Sequence, residues 1–280
     1  MKDYIRDGIR RLADPLAARS WVREYLQARI LASLQEAGAM AGIAFHGGTC
    51  LRFLYSIPRY SEDLDFARER TAAPYDFSAL ITGVERELTA EAYEVDSRIR
   101  TDRAVDSAFI RFPGLLSELG LSTQRTEVTA IKVEIDTRPP AGSRCATTLV
   151  RRHVAMNLFH HDRATLLAGK LHAILQRPFL KGRDVYDLLW YLSDRSWPEP
   201  NLEMLSNALA QSGWKGPAVD TGNWRSLAAS RLADMDWKAV AADVQPFIER
   251  QADLKLLTRE TLLRLLEESS WPRDVPRTRK

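Results

Sequence analysis

The sequence has few cysteines, no long apolar run and little excess charge of either sign, and each absence excludes a class of protein. Only Cys50 and Cys145 occur in 280 residues, without a CxxC or histidine-rich pattern, so neither a disulfide framework nor a zinc site is indicated. No stretch approaches the roughly 20 apolar residues of a membrane-spanning helix. The N-terminus is charged from Lys2 and Asp3 onward and lacks an apolar signal core. We therefore expect a soluble, cytoplasmic protein without a membrane partner.

The net charge is only +3, so a surface that binds nucleic acid would have to be a local patch. The best candidate is the segment 151–195, which holds eight lysine or arginine residues against four aspartates, a net charge of +4, and four of the five histidines. Such a segment could follow an RNA backbone, but a solvated helix face would have the same composition. No DNA partner is expected.

Hydrophobic periodicity predicts a mixed α/β (α+β) region followed by a helical one. Asp14 and Pro15 start a helix that Gly38 ends. The segment 138–144, RPPAGSR, breaks both periods and predicts a boundary between a domain of residues 1–140 and a mainly helical domain of residues 141–280. Before it we expect strands at 43–45, 64–66, 109–112 and 127–137 and helices at 49–55 and 76–92. After it we expect a strand at 154–159, helices at 163–176, 183–193, 202–211, 221–233, 237–245 and 254–268, and a frayed basic tail at 272–280.

The most informative segment is 43–66, IAFHGGTCLRFLYSIPRYSEDLDF. Gly47, Gly48 and Thr49 follow a predicted strand and open a short helix, so their backbone N–H groups can approach phosphate oxygens without a Cβ in the way. Strand alternation places Asp63 and Asp65 on one face of the next strand. Two neighbouring carboxylates repel each other unless they share a hard cation, such as Mg²⁺ or Mn²⁺ in its place, that also binds a substrate phosphate. The segment therefore predicts phosphoryl or nucleotidyl transfer.

A later strand, TEVTAIKVEID, supplies candidates for a third carboxylate. Glu134 and Asp136 project to one side of this strand and could complete the metal ligands or help to deprotonate an acceptor hydroxyl. A solvated strand face would explain either residue alone. Arg59 could neutralise charge on the phosphates, although a structural pair with Glu62 or Asp65 fits its position as well.

The predicted helices after residue 160 contain a second group of candidates. Lys170 lies in an apolar stripe, where an unpaired ammonium is costly, so we expect it to reach a triphosphate or a carboxylate. Snorkelling from the edge of the stripe is the alternative. Arg183, Asp184 and Asp187 begin the next helix and could line a nucleotide or acceptor site. An N-terminal cap by Asp184 and an i,i+4 pair of Arg183 with Asp187 would be the ordinary explanation.

Taken in order, these motifs resemble the nucleotidyltransferase toxins of the AbiEii/AbiGii family. The resemblance rests on FHGGTCLRFLY, RYSEDLDF, IKVEID, LLAGKLHAIL and KGRDVYDLLWYL, and covers about residues 40 to 195. It implies a nucleotidyltransferase-fold mixed sheet with flanking helices and a C-terminal helical domain. By position it assigns phosphate binding to Gly48 and Thr49 and metal binding to Asp63 and Asp65. The remaining family positions fall on Glu134 with Asp136 nearby, Lys170, Arg183, Asp184 and Asp187.

What the resemblance implies is Mg²⁺-dependent transfer of a nucleoside monophosphate from an NTP to the 3′ end of tRNA, which stops translation, with a cognate antitoxin as partner. Three rival functions stay open. The acceptor could be a small molecule or a protein hydroxyl instead of RNA. Alternatively, the protein could be a binding module that keeps the fold without turnover and sequesters RNA or a partner.

Overall fold

The computed structural model describes residues 2–101 and 103–268, so the tail 272–280, predicted to fray, lies outside the described residues. The strands in these ranges are β1 (Ile43–His46), β2 (Leu64–Arg68), β3 (Asp96–Arg100), β4 (Val105–Pro113), β5 (Val128–Asp136), β6 (Cys145–Arg152) and β7 (Val154–His161). The α-helices are α1 (Lys2–Ile9), α2 (Pro15–Glu36), α3 (Gly47–Tyr55), α4 (Phe77–Ala90), α5 (Leu115–Glu118), α6 (Arg163–Gln176), α7 (Gly182–Ser193), α8 (Leu202–Gln211), α9 (Trp224–Ala233), α10 (Trp237–Val244) and α11 (Arg259–Glu267).

The described chain divides into two compact units. The first contains the residues up to Pro139 and the hairpin Cys145–His161, and the second contains Pro140–Arg144 and the residues from Asp162 onward. The predicted boundary at residue 140 differs from this division by the hairpin β6–β7, because β7 pairs with β1.

A seven-stranded mixed sheet, in the order β3-β4-β5-β2-β1-β7-β6, forms the centre of the first unit. Strand β2 runs antiparallel to β1 and parallel to β5, and β7 runs parallel to β1. Alternation along β5 buries Ile131, Val133 and Ile135, as the sequence predicts, while the polar residues between them are only half-buried. The predicted mixed α/β class with flanking helices is confirmed.

The long helix α2 begins as the sequence predicts. The Asp14 side chain accepts hydrogen bonds from the N–H groups of Leu16 and Ala17, and Pro15 occupies the first turn. Although Gly38 follows in the left-handed conformation, the helix already ends at Glu36. None of the described helices combines the length and apolarity needed to cross a bilayer.

The second unit is helical, as predicted for this part of the chain. Its α6 is capped by Asp162, which accepts from the Thr165 N–H at 2.8 Å, and α8 is capped by Asn201, which accepts from the Met204 N–H at 3.1 Å. Helices α6 and α7 pack on each other, α8 packs on α6, and α10 and α11 pack on α7. The stripe of Val185, Leu188 and Leu192 on α7 is buried, as its spacing predicts.

Candidate active site

The glycine turn joins β1 directly to α3. His46 ends the strand, and Gly47 opens the helix with φ +77°, a left-handed conformation that favours glycine. A Cβ at Gly47 would collide with the Oδ2 atom of Asp65. The absence of a side chain therefore allows the backbone to approach this carboxylate. The first N–H groups of α3, which have no partner within the helix, lie at this end of α3.

The next two residues of the turn are shaped by the segment that leads into β2. A Cβ at Gly48 would lie 2.6 Å from Nη2 of Arg59 and 3.1 Å from Oγ of Ser61, so only glycine fits there without movement. The hydroxyl of Thr49, which is fully buried, donates to the carbonyl of Asp63. Arg59 is also buried and donates from Nη1 to the carbonyl of Tyr60 at 2.9 Å. The bond of Thr49 to Asp63 holds the turn to the start of β2, and the Arg59 guanidinium lies beside the turn at Gly48.

A row of polar residues crosses the sheet beside this turn. Asp65 on β2 pairs in register with His46 on one side and with Glu134 on the other, so these side chains share one face. Asp136 pairs with Ala67, two residues further along the same face. Asp63 precedes β2 by one residue, and its carbonyl accepts a hydrogen bond from the Thr49 hydroxyl of the turn. The sheet thus places Asp65, Glu134 and Asp136 on one face, and Asp63 lies just before β2.

The two candidates on β5 have different surroundings. Glu134 forms an ion pair with Lys132, with Nζ to Oε1 at 2.7 Å, and both side chains are about one-third exposed. Asp136 accepts a hydrogen bond from the Arg138 N–H at 2.9 Å. Burial and the nearby charge of Glu69 raise the pKa of Asp136, and they outweigh the lowering effect of that hydrogen bond. Register favours Glu134 as the neighbour of Asp65, and Asp136 stays the alternative third carboxylate.

The donor set of this row fits a hard divalent cation. Asp63, Asp65 and Glu134 offer only carboxylate oxygens, which are the ligands that Mg²⁺ and Mn²⁺ take. The space that a Cβ at Gly47 would fill lies directly at the Asp65 carboxylate.

Helix α3 is anchored from behind by a buried carboxylate on α2. Glu24 accepts from Nε of Arg52 on α3 at 2.6 Å and from Nε of Arg152 on β6 at 2.8 Å, and its Oε1 lies 3.0 Å from Nε2 of His153. Burial alone would raise the pKa of Glu24, but the hydrogen bonds from His153 and Arg152 and the charges of Arg52 and Arg152 lower it to about 2. Glu24 is therefore ionised and fixes the helix that carries the glycine turn.

A second polar residue on α2 holds the chain before the Asp-x-Asp pair. Gln27 donates from Nε2 to the carbonyls of Ser61 and Glu62, at 3.0 and 2.9 Å. The sequence analysis missed both Glu24 and Gln27. The sequence does contain a clue to these two residues. They are polar residues at positions i and i+3 of a helix whose intervening residues, Tyr25 and Leu26, are hydrophobic and buried.

The candidates of the second unit form an ion-pair cluster between α6 and α7. Nζ of Lys170 lies 2.9 Å from Oδ1 of Asp184 and 2.7 Å from Oδ2 of Asp187. Asp184 also binds Arg177, and the Asp187 carboxylate is fully buried. Lys170 thus reaches anions, as its position in the apolar stripe predicts, and both anions are carboxylates of this cluster. The guanidinium of Arg183 stacks over the ring of Phe247 at 4.3 Å.

The basic segment 151–195 presents less free charge than its composition indicates. Four of its cations, Arg152, Lys170, Arg177 and Arg195, form ion pairs with carboxylates of this chain. Arg151 and Lys181 are exposed. A count of charged residues therefore overestimates the surface that this segment offers to RNA.

Two crystal structures of other proteins are similar to this chain. Among curated proteins no relative matches the chain. The crystal structure of JHP933 from Helicobacter pylori is similar, at 18% identity and a TM-score of 0.51, over 89% of this chain and 90% of that chain. A second crystal structure from H. pylori, of a protein to which nucleotidyltransferase activity is ascribed, is similar at 19% identity and a TM-score of 0.50, over 88% of this chain and 91% of that chain. At these identities the likeness shows the fold.

The family is shown by the sequence itself. The profile described as nucleotidyl transferase AbiEii toxin, type IV TA system, matches residues 29–264, which include the glycine turn, the carboxylate row and the ion-pair cluster of the second unit. Because this match spans most of the 280 residues, the chain belongs to the AbiEii nucleotidyl transferase toxin family of type IV toxin–antitoxin systems.

Proposed function

We propose that the protein is a Mg²⁺-dependent nucleotidyltransferase that transfers a nucleoside monophosphate from an NTP to the 3′ end of tRNA and thereby stops translation. The observation that carries this proposal is the pairing of Asp65 with Glu134 beside a left-handed glycine whose missing Cβ lets the turn approach the Asp65 carboxylate closely. This arrangement places backbone N–H groups that can bind phosphate beside carboxylates that can bind a metal ion.

The proposed reaction is an in-line displacement at the α-phosphate. The oxygen of the terminal ribose hydroxyl forms a bond to the α-phosphorus, the bond from that phosphorus to the bridging oxygen breaks, and pyrophosphate leaves. The hydroxyl proton passes to a carboxylate on β5, Glu134 or Asp136, which project from the same face as Asp65.

In the first unit, different residues would bind the phosphates and the metal ion. Gly47, Gly48 and Thr49 present backbone N–H groups at the start of α3, where phosphate oxygens are favourably bound. Asp63, Asp65 and Glu134 would hold the metal. When bound, Mg²⁺ would neutralise charge on the phosphates and lower the pKa of the attacking hydroxyl. Arg59, buried behind Gly48, keeps the turn in the conformation that binds phosphate.

For the second unit we propose a role in binding the nucleotide and the acceptor. Lys170, Asp184 and Asp187 fix α6 against α7 through their ion pairs, and Arg183 begins α7 beside them. Lys181, exposed in the loop before α7, is positioned to contact an RNA phosphate. The family also implies a cognate antitoxin, and since NTPs and tRNA are the proposed substrates, we propose action in the cytoplasm.

The direct test is incubation of the purified protein with each α-labelled NTP, Mg²⁺ and total tRNA. We expect label in tRNA, and we expect Asp63→Asn and Asp65→Asn to reduce it by about a thousandfold or more, because removing a metal ligand removes charge stabilisation of the transition state. Asp7→Asn is the matched control, because this aspartate on α1 is 64% exposed and, among the described contacts, pairs with Arg10 just after the end of that helix.

Three results would contradict parts of the proposal. Label on a small molecule or a protein would replace RNA as the acceptor and keep the chemistry. Equal labelling by wild type and Asp63→Asn would reject the carboxylate row as the site. Toxicity in cells that survives Asp65→Asn would favour a protein that acts by binding alone.

A further inference from the structure

Three side chains with different metal-binding atoms meet in the first unit, outside the carboxylate row. They are Glu69, Cys145 and His161, and one ligand atom from each, an oxygen, a sulfur and a nitrogen, lies within 4.8 Å of the other two. Within this group Oε1 of Glu69 is 2.7 Å from Nε2 of His161. Neither the proposed reaction nor the family motifs use these residues.

The cluster is built from two paired strands and from the residue that follows a third strand. Cys145, the first residue of β6, pairs in register with His161, the last residue of β7. Glu69 follows β2 directly and is fixed by its N–H, which donates to the Gly42 carbonyl at 3.1 Å. The residues are therefore held by strand pairing and by a backbone hydrogen bond, and the backbone positions do not depend on a bound ion.

The cluster is partly withdrawn from solvent and its histidine is already oriented. The His161 side chain is 5% exposed and that of Glu69 is 13% exposed. The ring of His46 stacks on the His161 ring, with centroids 5.1 Å apart and planes 13° apart. Fixed ring orientation and partial dehydration lower the cost of ordering ligands around an ion.

We propose that Glu69, Cys145 and His161 bind a zinc ion. Thiolate, imidazole and carboxylate together are the ligands that zinc accepts, whereas Mg²⁺ prefers oxygen alone. In a tetrahedral site with bonds of about 2.0–2.3 Å, donor atoms lie roughly 3.3–3.8 Å apart, so the Glu69 to His161 contact would open by about half an ångström. The thiol of Cys145 releases its proton to solvent on binding. Three protein ligands leave a fourth position for water or another small ligand.

This zinc site is distinct from the proposed Mg²⁺ site. Its three ligands include none of the carboxylates of the row, and two of its donor atoms are a sulfur and a nitrogen, which Mg²⁺ does not prefer. The inference therefore stands independently of the proposed nucleotidyl transfer.

The test uses the full chain, stripped with a chelator and titrated with Co²⁺ as a spectroscopic probe and with Zn²⁺ as a competitor. We expect one equivalent of Co²⁺ to give a thiolate-to-cobalt charge-transfer band and tetrahedral visible bands, and Zn²⁺ to abolish them. Millimolar Mg²⁺ should leave them unchanged. Cys145→Ser should remove the charge-transfer band, and Glu69→Gln should weaken Zn²⁺ binding by about 100-fold.

Matched variants separate this site from its alternatives. Cys50→Ala, which removes the other cysteine, and Asp63→Asn, which alters the carboxylate row, should both keep the cobalt spectrum of the wild type. Each variant is checked for folding by circular dichroism, and Zn²⁺ should raise Tm in wild type and in Cys50→Ala but not in Cys145→Ser. A wild-type spectrum without a thiolate band, or an unchanged band in Cys145→Ser, would overturn the proposal.

Discussion

Replacing Glu24 by glutamine should destabilise the first unit by several kcal/mol. The carboxylate is only 5% exposed and serves Arg52, Arg152 and His153, while the Arg52 side chain is 4% exposed. Glutamine keeps the size of the side chain but removes the negative charge with which the buried Arg52 guanidinium forms its ion pair. Breaking a buried pair in this way costs about 3–5 kcal/mol. The lost stability would weaken the packing of α3 on α2 and would therefore loosen the glycine turn at the start of α3.

The pH dependence of this effect follows from the lowered pKa. A shift from the ordinary 4.5 to about 2 contributes about 3 kcal/mol of stability at pH 7. Because the folded-state pKa lies below the unfolded one, the full contribution is present above pH 4.5 and is lost as the pH falls towards 2. At pH 3.5 the difference between wild type and Glu24→Gln should be smaller by about 1 kcal/mol.

The assay must report the first unit separately from the second. Hydrogen exchange of peptides from β1 and α3, measured across a urea series at pH 7 and at pH 3.5, does this. Glu118→Gln is a suitable control, since this glutamate is 42% exposed and its surface pair with Lys2 should contribute less than about 1 kcal/mol. A stability of Glu24→Gln within 1 kcal/mol of wild type at pH 7, or a difference that grows as the pH falls, would contradict the role of ionised Glu24 as the anchor of α3.

Two further substitutions probe the turn and the second unit. Gly47→Ala should lower the rate of nucleotidyl transfer at least about tenfold, because the new Cβ meets the Asp65 carboxylate, and should also cost about 1–2 kcal/mol of backbone strain. Lys170→Met should destabilise the second unit by about 3–5 kcal/mol, measured by urea unfolding, because it leaves the buried carboxylates of Asp184 and Asp187 without their shared cation.

Each of these substitutions has a control in the same unit. Gly38 has φ +81°, and a Cβ added there would have no neighbouring atom within 4 Å, so Gly38→Ala should show the strain without the loss of transfer. Arg177 is 43% exposed and binds Asp184, so Arg177→Met should cost less than Lys170→Met. Equal transfer by Gly47→Ala and Gly38→Ala would show that the approach of the turn to Asp65 does not matter. Equal stability of the two cation variants would show that the Lys170 pairs are not coupled to folding.

Much of the central sheet could be predicted because its strands are patterned. The alternation of TEVTAIKVEID places Glu134 and Asp136 opposite the buried Val133 and Ile135, and the structure confirms it. The pairing of β2 with β5 could not be predicted in the same way, since periodicity says which face a residue occupies but not which strand lies beside it. The neighbourhood of Asp65 and Glu134 therefore depended on the resemblance to a family.

The sequence did not predict the weakly buried edge strands or the contacts between residues that are far apart in sequence. Strands β3 and β6 lie at the two edges of the sheet, and most of their residues are exposed or half-buried, so neither shows a clear period of two. Asp187 is bound by Lys170 on the preceding helix, and the spacing of residues along α7 alone does not predict this contact. The widely spaced cysteines did not predict the cluster of Glu69, Cys145 and His161, because it is the hairpin β6–β7 that sets Cys145 beside His161.

The path of the chain between the two units has a practical consequence for dissecting the protein. The polypeptide leaves the first unit after Pro139, returns to it at Cys145 and leaves it again after His161. A fragment cut at residue 139 would lack β7 and would expose the hydrogen-bonding edge of β1, which would promote aggregation. Truncation, fusion or shuffling experiments should therefore place their junction beyond His161, and failure of a shorter piece to fold would say nothing about its chemistry.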